Sequence, residues 1–201
     1  MKTVNDVNFN NKKVLVRVDF NVPLNEDLEV TDATRIEAAK PTIFNILESG
    51  GSCILMSHLG RPKNREDQFS LRHIVHKATE IFGVQVKFCE DCIGSAAEEA
   101  VANLKEGEIL LLENLRYYSE ETEGNSDFAK KLAKLGDYYV NDAFGTAHRA
   151  HASTAVIARF FPSNKCFGLL LASEIVNVEK VLKDGKSPIT AIIGGAKVSS
   201  K

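Results

Sequence analysis

The feature that most constrains this chain is a series of short, almost unbroken apolar runs: Val14–Val18, Cys53–Ser57, Val84–Phe88, Ile109–Leu112, Tyr138–Asn141, Phe167–Leu170 and Ile189–Ile193. A strand with one wet face alternates apolar and polar residues, whereas a strand covered on both faces does not. Runs of this kind therefore predict a parallel sheet enclosed between helices. Helical stretches lie between them, at approximately 32–49 with a kink at Pro41, then 71–82, 153–160 and 173–184. Two more carry their own punctuation: 95–104, opened by a Ser95-Ala-Ala-Glu98 capping box, and 126–135, closed by Gly136. Strand and helix in alternation predict an α/β fold, a doubly wound open parallel sheet of Rossmann-like type with helices on both faces.

The 201 residues suffice to bury roughly 70% of the unfolded surface, enough for one sizeable core and a second small lobe. A breaker cluster, Asp184-Gly185-Lys186-Ser187-Pro188, follows the apolar stripe Ile175, Val176, Val178, Val181 and Leu182. Residues 1–172 are accordingly expected to form one domain, 173–188 a hinge helix and linker, and 189–201 the truncated start of a second α/β domain. No internal repeat and no low-complexity tract is visible.

Charge excludes several function classes. Lys and Arg number 25 against 27 Asp and Glu, so there is no general basic face for nucleic acid. No run approaches 18 apolar residues, and the N-terminal MKTVNDVNFNNKK is polar where a secretory signal carries an apolar stretch, so no membrane association and a cytoplasmic location are expected. Four cysteines are too few for a disulfide framework. Cys89 and Cys92 form a CxxC, but no second pair completes a zinc site, and the intervening Glu90 and Asp91 disfavour a thiolate.

The chemistry collects after the strands, where ligands bind in open α/β sheets. Asp19-Phe20-Asn21 follows the first run, His58-Leu59-Gly60-Arg61 the second, Asn114-Leu115-Arg116 the fourth, and Asn141, Asp142, His148, Arg149 and His151 the fifth. Lysine makes up 17 of the 25 basic residues, yet Arg61, Arg116 and Arg149 fall in these turns, with Arg17 on the first strand and Arg35 opening the first long helix. Arginine forks suit carboxylate and phosphate oxygens and stay charged when partly desolvated. A lone loop arginine or histidine is usually structural, and Asp19, Glu113 and Asp142 are available to neutralise some of these cations. Their coincidence at one rim points to a small polyanion. Neither a P-loop nor a dinucleotide fingerprint is present. Gly194-Gly195-Ala196-Lys197 after the last run is either a tight turn with exposed lysines or a phosphate cradle, with Lys201 nearby.

At these residues the sequence closely resembles phosphoglycerate kinases. The segments are Arg17–Leu24, Thr31–Ile36, Ser57–Pro62, Leu112–Arg116, Asn141–His151 and Gly194–Val198, in family order and spacing. The resemblance implies reversible phosphoryl transfer between ATP and the carboxylate of 3-phosphoglycerate, giving 1,3-bisphosphoglycerate and ADP, with Mg2+ on the nucleotide. It implies substrate contacts from Arg17, Asp19, Phe20, Asn21, Arg35, His58, Leu59, Gly60, Arg61, Arg116, His148, Arg149 and His151. Asp19 and Asn21 would hold the hydroxyl and carboxylate end, and Arg61, Arg116 and Arg149 the 3-phosphate, assisted by His58 and His151. Arg35 and Lys197 would be catalytic, and Gly195, Ala196, Lys197 and Lys201 would contact nucleotide. Family members are about twice this length, so the Mg2+ ligands and most of the nucleotide site are expected in a missing C-terminal half. The chain alone is expected to be a monomer that binds the acid without turnover. The competing readings are a non-catalytic anion-binding module on the same rim and, more distantly, a thioredoxin-like protein built on Cys89 and Cys92.

Overall fold

A computed structural model describes residues 1–184. Six strands form one sheet: β1 (Lys13–Arg17), β2 (Ser52–Met56), β3 (Val86–Cys89), β4 (Ile109–Leu112), β5 (Tyr138–Asn141) and β6 (Lys165–Phe167). Their order is β3-β4-β2-β1-β5-β6, and every pairing between them is parallel. This is the expected doubly wound α/β architecture. Successive side chains of a strand point to opposite faces, and here both faces are dry. Val14, Val16, Cys53, Leu55, Ile109, Leu111 and Val140 enter one core, while Leu15, Ile54, Met56, Leu110, Leu112 and Tyr139 enter the other. That double burial is why the runs show no alternation.

The helices are α1 (Thr34–Glu48), α2 (Val75–Phe82), α3 (Gly94–Ala102), α4 (Ser119–Glu123), α5 (Ser126–Ala133) and α6 (Leu169–Asp184). Asp32 accepts from the Thr34 N–H ahead of α1, and Asn125 accepts from Asp127 and Phe128 to cap α5. α1 runs without a break through Pro41.

Several elements depart from the sequence expectation, each for a local reason. The run Val84–Phe88 becomes a strand only at Val86, whose N–H is first taken by the Thr79 hydroxyl at 3.1 Å. The stretch 71–82 starts as a 3-10 turn, Leu71–Ile74, capped by Ser70. α3 begins one residue ahead of Ser95, with Ile93 at the cap position, so the Ser95–Glu98 capping box does not form. Gly136 lies beyond the cap of α5, Lys134, and packs against β1. Residues 153–160 are not an α-helix but a wide π turn, Ala152–Val156, followed by a 3-10 turn, Ile157–Phe160. The His151 carbonyl there receives three N–H groups, from Thr154, Ala155 and Val156.

The largest shift concerns Phe167–Leu170. The strand ends at Phe167, and α6 starts at Leu169, so the helix expected over 173–184 is four residues longer at its front and spans the proposed 172/173 boundary. Gly168 sits between them because a Cβ there would lie 2.2 Å from the Asp142 carboxylate. The first N–H groups of α6 are satisfied by distant side chains, Leu169 by the Thr42 hydroxyl at 2.8 Å and Leu171 by Asp142 at 3.1 Å. Leu171 and Ala172 are buried, whereas Val176, Val178, Val181 and Leu182 are exposed. The expected strand 189–193, the Gly194–Lys197 turn, and Gly195, Ala196, Lys197 and Lys201 lie outside the described residues.

Candidate functional site

The connections leaving β1 and β5 run to opposite sides of the sheet, β1 toward β2 and β5 toward β6. A crevice opens at such a point beyond the carboxyl ends of the strands. It is a cavity of about 270 Å3 lined by Asp19 and Asn21 after β1, Arg35 from the first turn of α1, and His58, Gly60 and Arg61 after β2. Arg116 after β4 and Gly145, Thr146 and Arg149 after β5 complete it. Four arginines thus face one another across a space with a single carboxylate.

Their supports explain how like charges are held together. Asn21 accepts the Gly60 N–H through Oδ1 at 2.8 Å, and Arg116 Nη1 donates to the Gly60 carbonyl at 2.7 Å, so the peptides on both sides of Gly60 are fixed. Asn114 accepts from the Arg116 N–H and donates to the carbonyls of Leu59 and Phe69, each at 2.8 Å. Arg35 is ion-paired with Asp19 and remains half exposed at the mouth. Gly145 lets the β5 loop close on this pair, since a Cβ would meet Asp19 Oδ2 at 3.0 Å.

Electrostatics follow from crowding. Burial first, then the charges of Arg149, Arg17 and Arg61, hold Arg116 below the usual guanidinium range. Burial, reinforced by Arg17, Arg116 and Arg35, pushes His58 down to about 2, so its imidazole is neutral. Of the three carboxylates available to quench the cluster, only Asp19 does so. Glu113 accepts from the Ser70 hydroxyl and the Leu71 N–H, and Asp142 caps α6.

The structure gathers eight expected residues at the cavity: Asp19, Asn21, Arg35, His58, Gly60, Arg61, Arg116 and Arg149. It puts the others elsewhere. Phe20 and Leu59 are core side chains, their aromatic and aliphatic surface buried among helices and sheet. Arg17 is 1% exposed and lies behind the rim, bonded to Ser153, the Val18 carbonyl and His58. His148 is exposed and does not line the cavity, and His151 is buried beside Glu121. Gly145 and Thr146 were missed as lining residues; neither has an ionisable group, and only their place inside Asn141–His151 could have flagged them.

Cys89 and Cys92 are free and buried, and burial raises both thiols, Cys92 well above the ordinary value. A redox thiol needs the opposite shift. Among the described residues no group of three or more His, Cys, Asp or Glu side chains is placed to hold a metal ion, and no helix is long and apolar enough to cross a membrane.

A sequence model of the phosphoglycerate kinase family matches residues 4–201. The chain belongs to this family. It is 51% identical to a phosphoglycerate kinase of Porphyromonas gingivalis, over 99% of this chain and 53% of that one. It is 52% identical to one of Moorella thermoacetica, over 99% and 50% respectively. The crystal structure of the phosphoglycerate kinase from Pyrococcus horikoshii superimposes with a TM-score of 0.89 at 35% identity, covering 99% of this chain and 50% of that chain. The chain therefore spans about half the length of the phosphoglycerate kinases it matches.

Proposed function

We propose that this chain is the acid-binding half of a phosphoglycerate kinase, which transfers phosphoryl reversibly between ATP and the carboxylate of 3-phosphoglycerate. The observation that carries the reading is the cavity in which Arg35, Arg61, Arg116 and Arg149 converge against Asp19 alone. An acid with a phosphate at one end and a carboxylate at the other matches that charge. Arg61, Arg116 and Arg149 clamp the phosphate, and neutral His58 adds an N–H donor. Asn21 has spent its oxygen on Gly60, so its amide nitrogen is free to donate to the acid, while Asp19 accepts the substrate hydroxyl.

Arg35 is the one cavity arginine in the first turn of α1, and its pairing with Asp19 orients it over the mouth. There it stabilises charge on the transferring group, the chief need where little covalent work is required. A carboxylate nucleophile needs no general base.

The remaining parts of the reading lie beyond the cavity. Residues 1–172 form the acid-binding unit, 173–188 the hinge, and 189–201 the entry to a nucleotide-binding unit in which Gly195, Ala196, Lys197 and Lys201 contact ATP or ADP and Lys197 assists transfer. Mg2+ accompanies the nucleotide, and its ligands are assigned to that second unit. Closure of the two units about the hinge shields transfer from water. The protein is assigned to the cytoplasm, where four unpaired thiols stay reduced, and acts there as a monomer by analogy with its family.

Calorimetric titration of the 201-residue chain with 3-phosphoglycerate, beside inorganic phosphate and ATP·Mg2+, tests the reading. Saturable binding of the acid with little response to ATP is expected. A folded chain that ignores the acid would overturn it.

A further inference from the structure

We propose that Glu121 and Ser153 are positioning residues that act through Arg17 to hold His58 in its Nε2–H tautomer, with that donor presented to the cavity. The proposal rests on the anion-site reading for its use, but not for its geometry.

The four side chains form a buried line running from α4 to the rim. Glu121 accepts twice from Ser153, at 2.6 Å from the hydroxyl and 3.0 Å from the backbone N–H. Ser153 Oγ in turn accepts from Arg17 Nε at 2.9 Å. Arg17 Nη2 reaches His58 Nδ1 at 3.2 Å. All four residues are at most 4% exposed.

Two groups face His58 Nδ1, and only Arg17 is within hydrogen-bond reach, the Asp19 carboxylate standing 4.0 Å away. A guanidinium has no acceptor, so His58 Nδ1 must present its lone pair, and a neutral imidazole then carries its proton on Nε2. Nε2 has no partner among the described residues, and His58 lines the cavity. The serine hydroxyl donates to Glu121, which leaves an oxygen lone pair to accept from Arg17.

Charge makes Glu121 more than a spacer. None of the ion pairs among the described residues includes Arg17, so the buried guanidinium has no carboxylate in direct contact. Its countercharge is Glu121, relayed through one hydroxyl. His151 stands 3.9 Å from the same carboxylate, and burial keeps its pKa below the ordinary value, so it does not replace Arg17 as the partner of Glu121. The wide π turn serves this end: it brings the Ser153 N–H and hydroxyl together onto one carboxylate.

The test is nitrogen-15 NMR of the histidine rings in the 201-residue chain, with inorganic phosphate titrated alongside. Wild type at neutral pH is expected to show His58 as a neutral ring protonated at Nε2. Ser153→Ala and Glu121→Gln are expected to mix the two tautomers and to weaken phosphate at least threefold, while Ser153→Thr, which keeps the hydroxyl, restores the wild-type ring signals. A wild-type His58 protonated at Nδ1 or on both nitrogens would overturn the proposal without any variant. So would a folded Ser153→Ala chain with unchanged ring signals. Wild type with the expected tautomer but no phosphate response would support the relay and overturn the anion site.

Discussion

Arg116 donates to the Gly60 carbonyl with one nitrogen, yet it is only half-buried and sits among three other arginine charges. Its remaining donors are therefore free for an anion that relieves the repulsion. Arg116→Ala is expected to weaken 3-phosphoglycerate by about 1.5–3 kcal/mol, the worth of a charged hydrogen bond, and Arg116→Lys to restore little because an ammonium lacks the planar fork; calorimetry reads both. Arg35 differs in kind. In a full-length protein Arg35→Ala is expected to lower kcat by at least about 100-fold with a smaller change in KM, as for other electrostatic stabilisers. Steady-state kinetics separates the two, and an unaltered kcat would remove Arg35 from the chemistry. His58 carries a pH signature. With its folded pKa at about 2 and its unfolded value near 6.5, only the unfolded chain takes up this proton between those limits. Stability from His58 is thus present above about pH 6.5 and falls with acid, by at most about 1.4 kcal/mol per pH unit. Urea midpoints at pH 7 and pH 5 should fall less for His58→Gln than for wild type.

Among the elements, α6 is held by its first turn. Asp142 accepts from Leu171 and is itself buried, with desolvation raising its pKa. Asp142→Ala leaves a buried N–H without a partner and is expected to cost about 1–3 kcal/mol, read as a fall in Tm, with Asp142→Asn milder because its oxygen can still accept. The same element marks the limit of what the residues disclose in order. β1 was legible because Val14, Leu15 and Val16 are all apolar and a two-faced strand demands that. The start of α6 was not, because its caps lie 127 and 29 residues away in sequence, in Thr42 and Asp142. That Arg17 stands behind the rim was hidden for a related reason: its partner Ser153 lies 136 residues further along the chain. The eight residues that do meet at the cavity were legible because each lies in a connection that leaves the carboxyl end of a strand or opens a helix, where topology fixes the rim.

For the whole molecule, binding and stability are linked. Acid held only by the folded chain should stabilise it by about 2.7 kcal/mol at one hundred times its Kd, visible as a rising Tm in a thermal scan. Cys92→Ala should lower Tm without altering that response, since the thiol packs in the second core and does not line the cavity. The strand order has a consequence in time as well. β1 is flanked by β2 and by β5, and the β1–β5 junction closes across 124 residues, from Lys13 to Asp137. Such closure is a slow, non-local event. On a ribosome the first strand must wait, half-paired, until β5, Tyr138–Asn141, has emerged, and only then can Asp19 and Arg149 be drawn to one rim.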